Sequence, residues 1–241
     1  MTAREPKLGL SAFMAALPSA KRDTDTMWAK IILRPLSQPT AWALYRLGVT
    51  GNMVSIACVL LAIAGTLMLG LGDWSVAIGA AVIFNVVGLG DCIDGNIARA
   101  SGEAGPGGEW VDALAGYTVY ALLPLGLGFR VESAADPLGL ADGVWMLLGA
   151  LASSANLFMR VLHQKYANAF PSPKSEGRSS LAARISGEAG LAGWMMPLLL
   201  VSVIVSYEAW YLVLFSSFYC LSAAVVTAGM LYKVVQRAKA A

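Results

Sequence analysis

Six long runs of apolar residues are the feature that most restricts how this chain can fold. An α-helix needs about 20 apolar residues to cross the hydrocarbon core of a bilayer, and each run is close to that length. Of the 241 residues, 57% are hydrophobic and 13% are charged, which is typical of an integral membrane protein. The sequence predicts an all-α membrane protein with six transmembrane helices, at 49–71, 76–99, 108–128, 141–163, 189–206 and 209–235.

Residues 1–47 precede these runs, and we predict that they form an arm at the membrane surface, followed by a membrane domain over 48–241. The apolar stretch at 8–17 is short and interrupted by polar residues, which does not fit a signal peptide. In 27–34, helical spacing puts apolar side chains on one face, which predicts an amphipathic interfacial helix. These side chains are Trp28, Ile31 and Ile32, and Lys30 and Arg34 lie off their face.

A second short helix is predicted immediately before the membrane domain, over 39–47. Pro39 would open it, because the first helical turn does not need the N–H group that proline lacks. Trp42, Tyr45 and Arg46 follow, and these residue types are common at the boundary between membrane and water. This part of the arm is therefore also expected at the membrane surface.

Basic residues concentrate in the arm, in the 164–188 loop and at the C-terminus: Arg4, Lys7, Lys21, Arg22, Lys30, Arg34 and Arg46, then Lys165, Lys174, Arg178 and Arg184, then Lys233, Arg237 and Lys239. The opposite loops are acidic, with Asp73, Glu132, Asp136, Asp142 and Glu208 beside one basic residue, Arg130. By the positive-inside rule, both termini are cytoplasmic. We expect a multi-pass protein of a bacterial inner membrane.

The composition also argues against several other classes of protein. Cys58, Cys92 and Cys220 all lie within predicted helices, and an odd number in such places does not indicate a disulfide framework. The net charge of +2 is small and dispersed, so nucleic acid is not an expected partner. The basic loops are better suited to anionic lipid head groups. No repeat or pair of interrupted helices suggests a transporter.

The segment 91–112 puts Asp91, Asp94, Arg99 and Asp112 inside or beside the apolar runs. A carboxylate at membrane depth costs several kcal/mol unless it is paired, ligated or hydrated, so such residues are functional candidates. Asp91 and Asp94 share one helical face, and Asp112 arrives on the next helix. Carboxylates gathered from two helices predict a site for a hard cation, Mg²⁺ or Mn²⁺, of the kind that holds phosphates.

These residues follow the spacing Asp91-x2-Asp94-Gly95-x2-Ala98-Arg99-x8-Gly108-x3-Asp112. The spacing resembles the signature of the CDP-alcohol phosphotransferases, which are integral membrane enzymes of phospholipid synthesis. Seven of the family's eight defining positions match, and the eighth, a fourth Asp, is Gly116 here.

The resemblance extends upstream of the aspartates. The segment Arg46-Leu-Gly-Val-Thr-Gly-Asn52-Met-Val-Ser55 is similar to the family's entry into its first membrane helix, with Gly51 in place of a Pro and Ser55 in place of a Thr. The likeness covers roughly residues 35–125, and the remainder matches only in topology.

What the resemblance implies is the metal-dependent transfer of a phosphoalcohol or phosphatidyl group. The donor would be CDP-linked, either CDP-diacylglycerol or a CDP-alcohol, and CMP would be released. Asp91, Asp94 and Asp112 correspond to the family's ligands for a pair of metal ions. The resemblance also implies a homodimer.

The resemblance also implies a set of nucleotide-binding residues: Asn52, Asp91, Asp94, Gly95, Ala98, Arg99 and Gly108. Several members also have simpler interpretations. Arg99 is suited to phosphate but also to anchoring the helix at the membrane surface, and Gly108 to close helix packing. Asn52 is suited to capping a helix.

Gly116 is the main departure, because the family uses this position as a metal ligand and as the base for the attacking hydroxyl. Glu109 lies on the same stripe but about 10 Å away along the helix, and His163 is the only histidine; both are weak candidates for a replacement base, and the catalytic residue stays unknown. Tyr117 and Tyr120 are interpreted as packing residues. Three explanations stay open: a displaced base, an acceptor already ionised at pH 7, or a degenerate homologue that binds nucleotide or lipid without turnover.

A second basic group lies near the cytoplasmic end of predicted helix 4. Arg160, Lys174, Arg178 and Arg184 are candidates for binding a phosphorylated acceptor, because Arg is the preferred planar receptor for phosphate. The alternative is that they bind anionic lipid. The segment 171–188 is polar and is expected to be a loop with one short helix.

Overall fold

A computed structural model describes residues 8–15, 25–134, 138–170 and 181–240, and all regular structure among them is helical. The helices are α1 (Leu10–Ala15), a π-helical segment (Ala29–Leu33), α2 (Arg34–Leu47), α3 (Gly51–Leu71), α4 (Trp74–Ser101), α5 (Pro106–Ser133), α6 (Val144–Ala169), α7 (Leu181–Glu188), α8 (Met195–Ile204) and α9 (Glu208–Ala240).

Five of these helices are long and apolar enough to cross a membrane: α3, α4, α5, α6 and α9. The shortest of them, α3, has 21 residues and is therefore about 32 Å long, which matches a hydrocarbon core of about 30 Å. The expected all-helical structure is confirmed, and these five helices are suited to a multi-pass membrane protein.

The sixth predicted span, 189–206, is not a long helix. Only α8 lies within it, and its 10 residues extend about 15 Å, half of the hydrocarbon core. The chain turns over 189–194 instead, where the Trp194 N–H donates to the Glu188 carbonyl oxygen at 2.7 Å. A Cβ at Gly193 would collide with that same carbonyl, so glycine permits a turn that ends the apolar run early. The short helix expected within 171–188 is found as α7.

The arm also differs from expectation. Pro39 lies inside α2, and it is Pro35 that occupies the first turn, directly after Arg34. The helix ends at Gly48, whose φ of 89° is in the left-handed region that glycine adopts without strain. The predicted start at Pro39 was therefore wrong by one and a half turns.

The amphipathic surface helix predicted over 27–34 is not confirmed. The buried residues of the π-helical segment are Ala29 and Leu33, which pack with Cys92 of α4, whereas Ile31 is 58% exposed. Arg34, expected off the apolar face, is 8% exposed. Ala29 and Leu33 are four positions apart and share the side of this segment that packs on α4, and Ile31 lies off that side.

The chain divides into two compact units, and the described parts of 1–64, 81–118 and 179–200 form the first. In it, α1 and α2 pack on α4 through Phe13, Ala41, Ile93 and Ile97. The start of α3 also lies close to α4, because a Cβ at Gly51 would stand 2.9 Å from the Asp94 carbonyl oxygen. Small residues thus let the two helices approach closely where the aspartates lie.

The second unit comprises the described parts of 65–80, 119–178 and 201–241. Arg130 at the end of α5 forms an ion pair with Glu208 at the start of α9, with 2.8 Å between Nε and Oε1. The same guanidinium donates to the Gly72 carbonyl oxygen at 3.4 Å. Glu132 accepts hydrogen bonds from the Gly143 and Trp145 N–H groups at the start of α6. The charged residues of the acidic loops therefore join helix ends.

Candidate functional site

The motif residues meet at one pocket of about 370 Å³ within the first unit, a volume suited to a small-molecule ligand. It is bordered by the start of α3, the last turns of α4 and the start of α5. Its lining residues are Gly51, Asn52, Ser55, Asp94, Gly95, Ala98, Arg99, Ala104, Gly105, Gly108, Glu109 and Asp112. Of the predicted nucleotide-binding set, all but Asp91 line this pocket.

Asp94 is held between α3 and α4. Its side chain is buried, with 5% exposure, and its Oδ2 accepts a hydrogen bond from the Ser55 hydroxyl at 2.5 Å. Ser55 is itself 2% exposed, so the pair joins α3 to α4 out of contact with bulk water. In the sequence, Ser55 was noted only as a replacement for the Thr of the family pattern. Both residues carry a hydroxyl group, and this shared group was the signal that position 55 could donate a hydrogen bond to Asp94.

The other two aspartates differ in burial. Asp112 lines the pocket from α5 and is exposed, whereas Asp91 lies one turn before Asp94 and is half-buried. Both act electrostatically on the Asp94 carboxylate. Three negative charges within reach of one another are costly unless a cation or protons compensate them.

The donor set at the pocket fits a hard cation in its chemistry. Carboxylate oxygens of Asp94 and Asp112, with Glu109 and the Asn52 amide nearby, are the ligands that Mg²⁺ and Mn²⁺ prefer. Among the described residues, however, no three His, Cys, Asp or Glu side chains converge on one point closely enough to hold a metal ion. The metal therefore stays a prediction.

Arg99 forms part of the pocket wall, one turn beyond Asp94. A Cβ added at Gly95 would stand 3.1 Å from Arg99 Nη2, so the guanidinium lies directly over this glycine. Nη2 donates to Asn96 Oδ1 at 3.0 Å, while the buried Nε has no hydrogen-bond partner. An unsatisfied buried donor at a pocket wall is suited to an anionic ligand.

Asn96, within the same motif segment, connects Arg99 to the arm. Its Oδ1 also accepts from Arg34 Nη1 at 3.2 Å, and Arg34 pairs with Asp25 through Nε and Nη2 at 2.7 and 2.8 Å. The hydrogen bonding of the Arg34 guanidinium to the Asp25 carboxylate is the main reason that the pKa of Arg34 is raised above its usual value. Sequence reasoning missed Asp25 and Asn96, because no local pattern pairs residues so far apart.

Gly116 lies on α5 one turn beyond Asp112. A Cβ at this position would meet no atom within 4 Å in the part of the chain that the structure describes, so there is room for the first carbon of a side chain. Glu109 lines the pocket and is exposed, and Tyr117 is half-buried. The role of Glu109 as a replacement base stays a prediction.

The other predicted residues do not line this pocket. Arg160 and His163 belong to the second unit; Arg160 donates to Asn156 Oδ1 at 2.8 Å and stacks over the Tyr120 ring at 3.9 Å, and His163 is exposed. Arg184 on α7 is also exposed. Lys174 and Arg178 lie outside the described residues.

Comparison with protein-family models found no match to this chain, and comparison with curated proteins found none either. The family resemblance therefore depends on the motif residues themselves.

Proposed function

We propose that this chain is a membrane enzyme of phospholipid synthesis of the CDP-alcohol phosphotransferase type. It would transfer a phosphoalcohol or phosphatidyl group from a CDP-linked donor to an acceptor and release CMP. The observation that carries the proposal is the single pocket around which the spaced motif gathers. Residues from three separate segments, at 51–55, 94–99 and 104–112, border it, and all but one of the predicted nucleotide-binding residues are among them.

The chain's own residues suit the reaction in different ways. Asp94, fixed by Ser55, and Asp112 present carboxylates that would hold the metal together with Asp91. Arg99 would present a guanidinium to a phosphate, and Gly95 leaves the space in which this guanidinium lies. The metal, when bound, would stabilise the charge that develops on the transferred phosphoryl group and on the leaving phosphate.

The reaction balances without a redox partner. The acceptor oxygen forms a bond to the β-phosphorus, the bond from that phosphorus to the oxygen of CMP breaks, and CMP leaves with the electron pair. A hydroxyl acceptor must also lose a proton, which is the task that Gly116 cannot perform. An acceptor whose attacking oxygen belongs to a phosphate is already ionised at pH 7 and needs no base, and its attack would form a phosphoanhydride (P–O–P) bond in the product; we favour this class of acceptor.

The alternative function is binding of nucleotide or lipid without turnover. The open space at Gly116 favours it over a displaced base, since no atom of the described residues lies within 4 Å of a Cβ at this position. One assay separates the two. The purified chain is given CDP-diacylglycerol, Mg²⁺ or Mn²⁺, and a panel of alcohols and phosphorylated polyols, and CMP release is measured.

Acceptor-dependent CMP release with a phosphorylated acceptor is the expected result. CMP binding without release for every acceptor would instead favour the non-catalytic function. Absence of any metal-dependent binding of CMP would contradict both the enzyme and a nucleotide-binding protein, and of the functions considered only lipid binding would be left.

We also propose that the chain crosses the membrane six times, with both termini and the pocket on the cytoplasmic side. The support comes from contacts within the second unit. Arg130 binds both Gly72 and Glu208, and the Trp74 indole N–H donates to the Val203 carbonyl oxygen. The ends of α3, α5 and α8 and the start of α9 therefore lie at one membrane face. Since α6 leads the chain away from that face, the segment between α6 and α9 must return to it.

A further inference from the structure

Asn96 lies between the arm and the pocket, although it does not line the pocket itself. Its side chain is 5% exposed. One oxygen, Oδ1, accepts hydrogen bonds from two arginines, Arg34 on α2 at 3.2 Å and Arg99 on α4 at 3.0 Å. The amide nitrogen donates to the Ser37 hydroxyl at 3.3 Å. A single buried acceptor thus fixes two guanidinium groups.

Two like charges on one oxygen repel each other, and the Arg34 charge does act on Arg99. Asp25 compensates this repulsion by binding Arg34 through both carboxylate oxygens, a geometry that gives strong, directional pairing. Two positive charges and one negative charge leave one net positive charge in the group. Because Asp25 neutralises Arg34, that charge resides on Arg99, at the wall of the pocket.

Arg99 retains donors for a ligand. Its Nη2 is used by Asn96, but its buried Nε has no hydrogen-bond partner. The guanidinium also cannot rotate freely, because Asn96 holds one end and Gly95 lies beneath it. Such preorganisation lowers the entropy cost of binding an anion.

We propose that Asn96, supported by the Asp25–Arg34 pair, is a positioning residue that sets the Arg99 guanidinium to receive a phosphate group in the pocket. The inference deepens the proposed function and rests on it in taking that phosphate to belong to a cytidine nucleotide. The arm then supports the binding site, because Asp25 and Arg34 precede the first membrane helix and both belong to the group of residues that positions Arg99.

The test is a double-mutant cycle on the affinity for CMP in the presence of Mg²⁺. The full-length wild type is compared with Asn96→Leu, Arg99→Gln and the double variant. Asn96→Leu is expected to weaken CMP binding about tenfold or more, the worth of a charge-assisted hydrogen bond, and to cause no further loss when Arg99 is already Gln. An equal loss with and without Arg99, or no loss in either single variant, would overturn the proposal.

Asn85→Leu is the matched control. Asn85 lies on the same helix and is bonded to the Ala81 and Met196 carbonyl oxygens, both at 2.9 Å, with no arginine among these partners. The same substitution there is expected to change the CMP affinity by less than about twofold.

Failure of the proposed function has a separate signature, which is that the wild type does not bind CMP with Mg²⁺. The coupling of the arm to Arg99 is then decided by thermal unfolding of Asp25→Asn, Arg99→Gln and the double variant. Asp25→Asn is expected to lower the unfolding midpoint, because it leaves Arg34 uncompensated beside Arg99, and Arg99→Gln is expected to restore part of that loss. The same loss in both backgrounds would show that Asp25 does not act on Arg99.

Discussion

At the scale of single residues, two of the three departures from the family pattern that the sequence resembles, Ser55 and Gly51, fit a specific local contact. Ser55 keeps the hydroxyl of the Thr it replaces, and this hydroxyl donates to Asp94. Gly51, in place of a Pro, lies where a Cβ would stand 2.9 Å from the Asp94 carbonyl oxygen. Gly116 differs from both, because it removes a carboxylate without any compensating contact.

Gly116→Asp is predicted to create or increase CMP release that depends on a simple alcohol acceptor. Positioned proton transfer is worth about 10²- to 10⁴-fold in rate, and an added carboxylate would also strengthen metal binding. The open space around position 116 lets the side chain enter without displacing a neighbour, and Asp costs no more than Gly in a helix. CMP release and metal affinity of the purified variant give the answer.

Gly116→Ala is the control for this prediction, since it adds the Cβ without the carboxylate and should leave the rate unchanged. A wild type that already turns over a simple alcohol rapidly, and is slowed by Gly116→Asp, would show that the enzyme has its own base.

At the scale of elements, the composition and length of the apolar runs were enough to predict the five long helices. The five long helices lie where the apolar runs are, with ends that differ by a few residues; α5, for example, extends to Ser133 rather than 128. The break before α8 was not predictable in the same way. It depends on Gly193 passing close to the Glu188 carbonyl, a contact of the folded chain that an apolar run does not reveal.

The candidate site likewise combines residues of one local motif with contacts between residues that are far apart in the sequence. Asp94, Arg99 and Asp112 line one pocket, and it was the family resemblance that had grouped them in one metal and nucleotide site. The helical spacing of three residues put Asp91 with Asp94, but Asp91 is not among the residues that line this pocket. The link from Arg34 to Asn96 spans 62 positions and has no local signature, so the arm's part in the site came only from the structure.

Asp73 caps the start of α4. Its Oδ1 accepts from the Val76 N–H at 2.9 Å and from the Ser75 hydroxyl at 2.7 Å, and these bonds hold its carboxyl pKa below the usual range. The stabilisation is therefore present above the unfolded pKa of about 3.9 and is lost as pH falls through the lower folded value. Asp73→Asn should remove this part of the acid sensitivity, as measured by thermal unfolding across that pH range. The same acid dependence in wild type and variant would contradict the capping role.

At the scale of the whole molecule, the orientation in the membrane connects the fold to the proposed substrates. Because nucleotides are cytosolic, the proposed function requires the pocket to open to the cytoplasm. The prediction is that both termini are cytoplasmic and that the α5–α6 connection faces the other side. Single-cysteine variants at Ala134 and Ala238, in a chain whose three native cysteines are replaced, should be labelled from opposite sides by a membrane-impermeant reagent.

Labelling of both positions from the same outer side would mean that the segment between α6 and α9 does not cross. Labelling of Ala134 only from the cytosolic side would overturn the orientation and, with it, the cytoplasmic pocket.

The most direct measurement of the central claim is CMP binding to the purified chain as Mg²⁺ is titrated. It is made in the wild type and in Asp91→Asn, Asp94→Asn and Asp112→Asn, with folding of each checked by thermal unfolding in detergent. The account predicts that wild-type binding requires the metal and that each substitution weakens it severely, because each removes a carboxylate that the resemblance assigns to the metal. Binding that does not depend on metal, or that survives all three substitutions, would contradict the account.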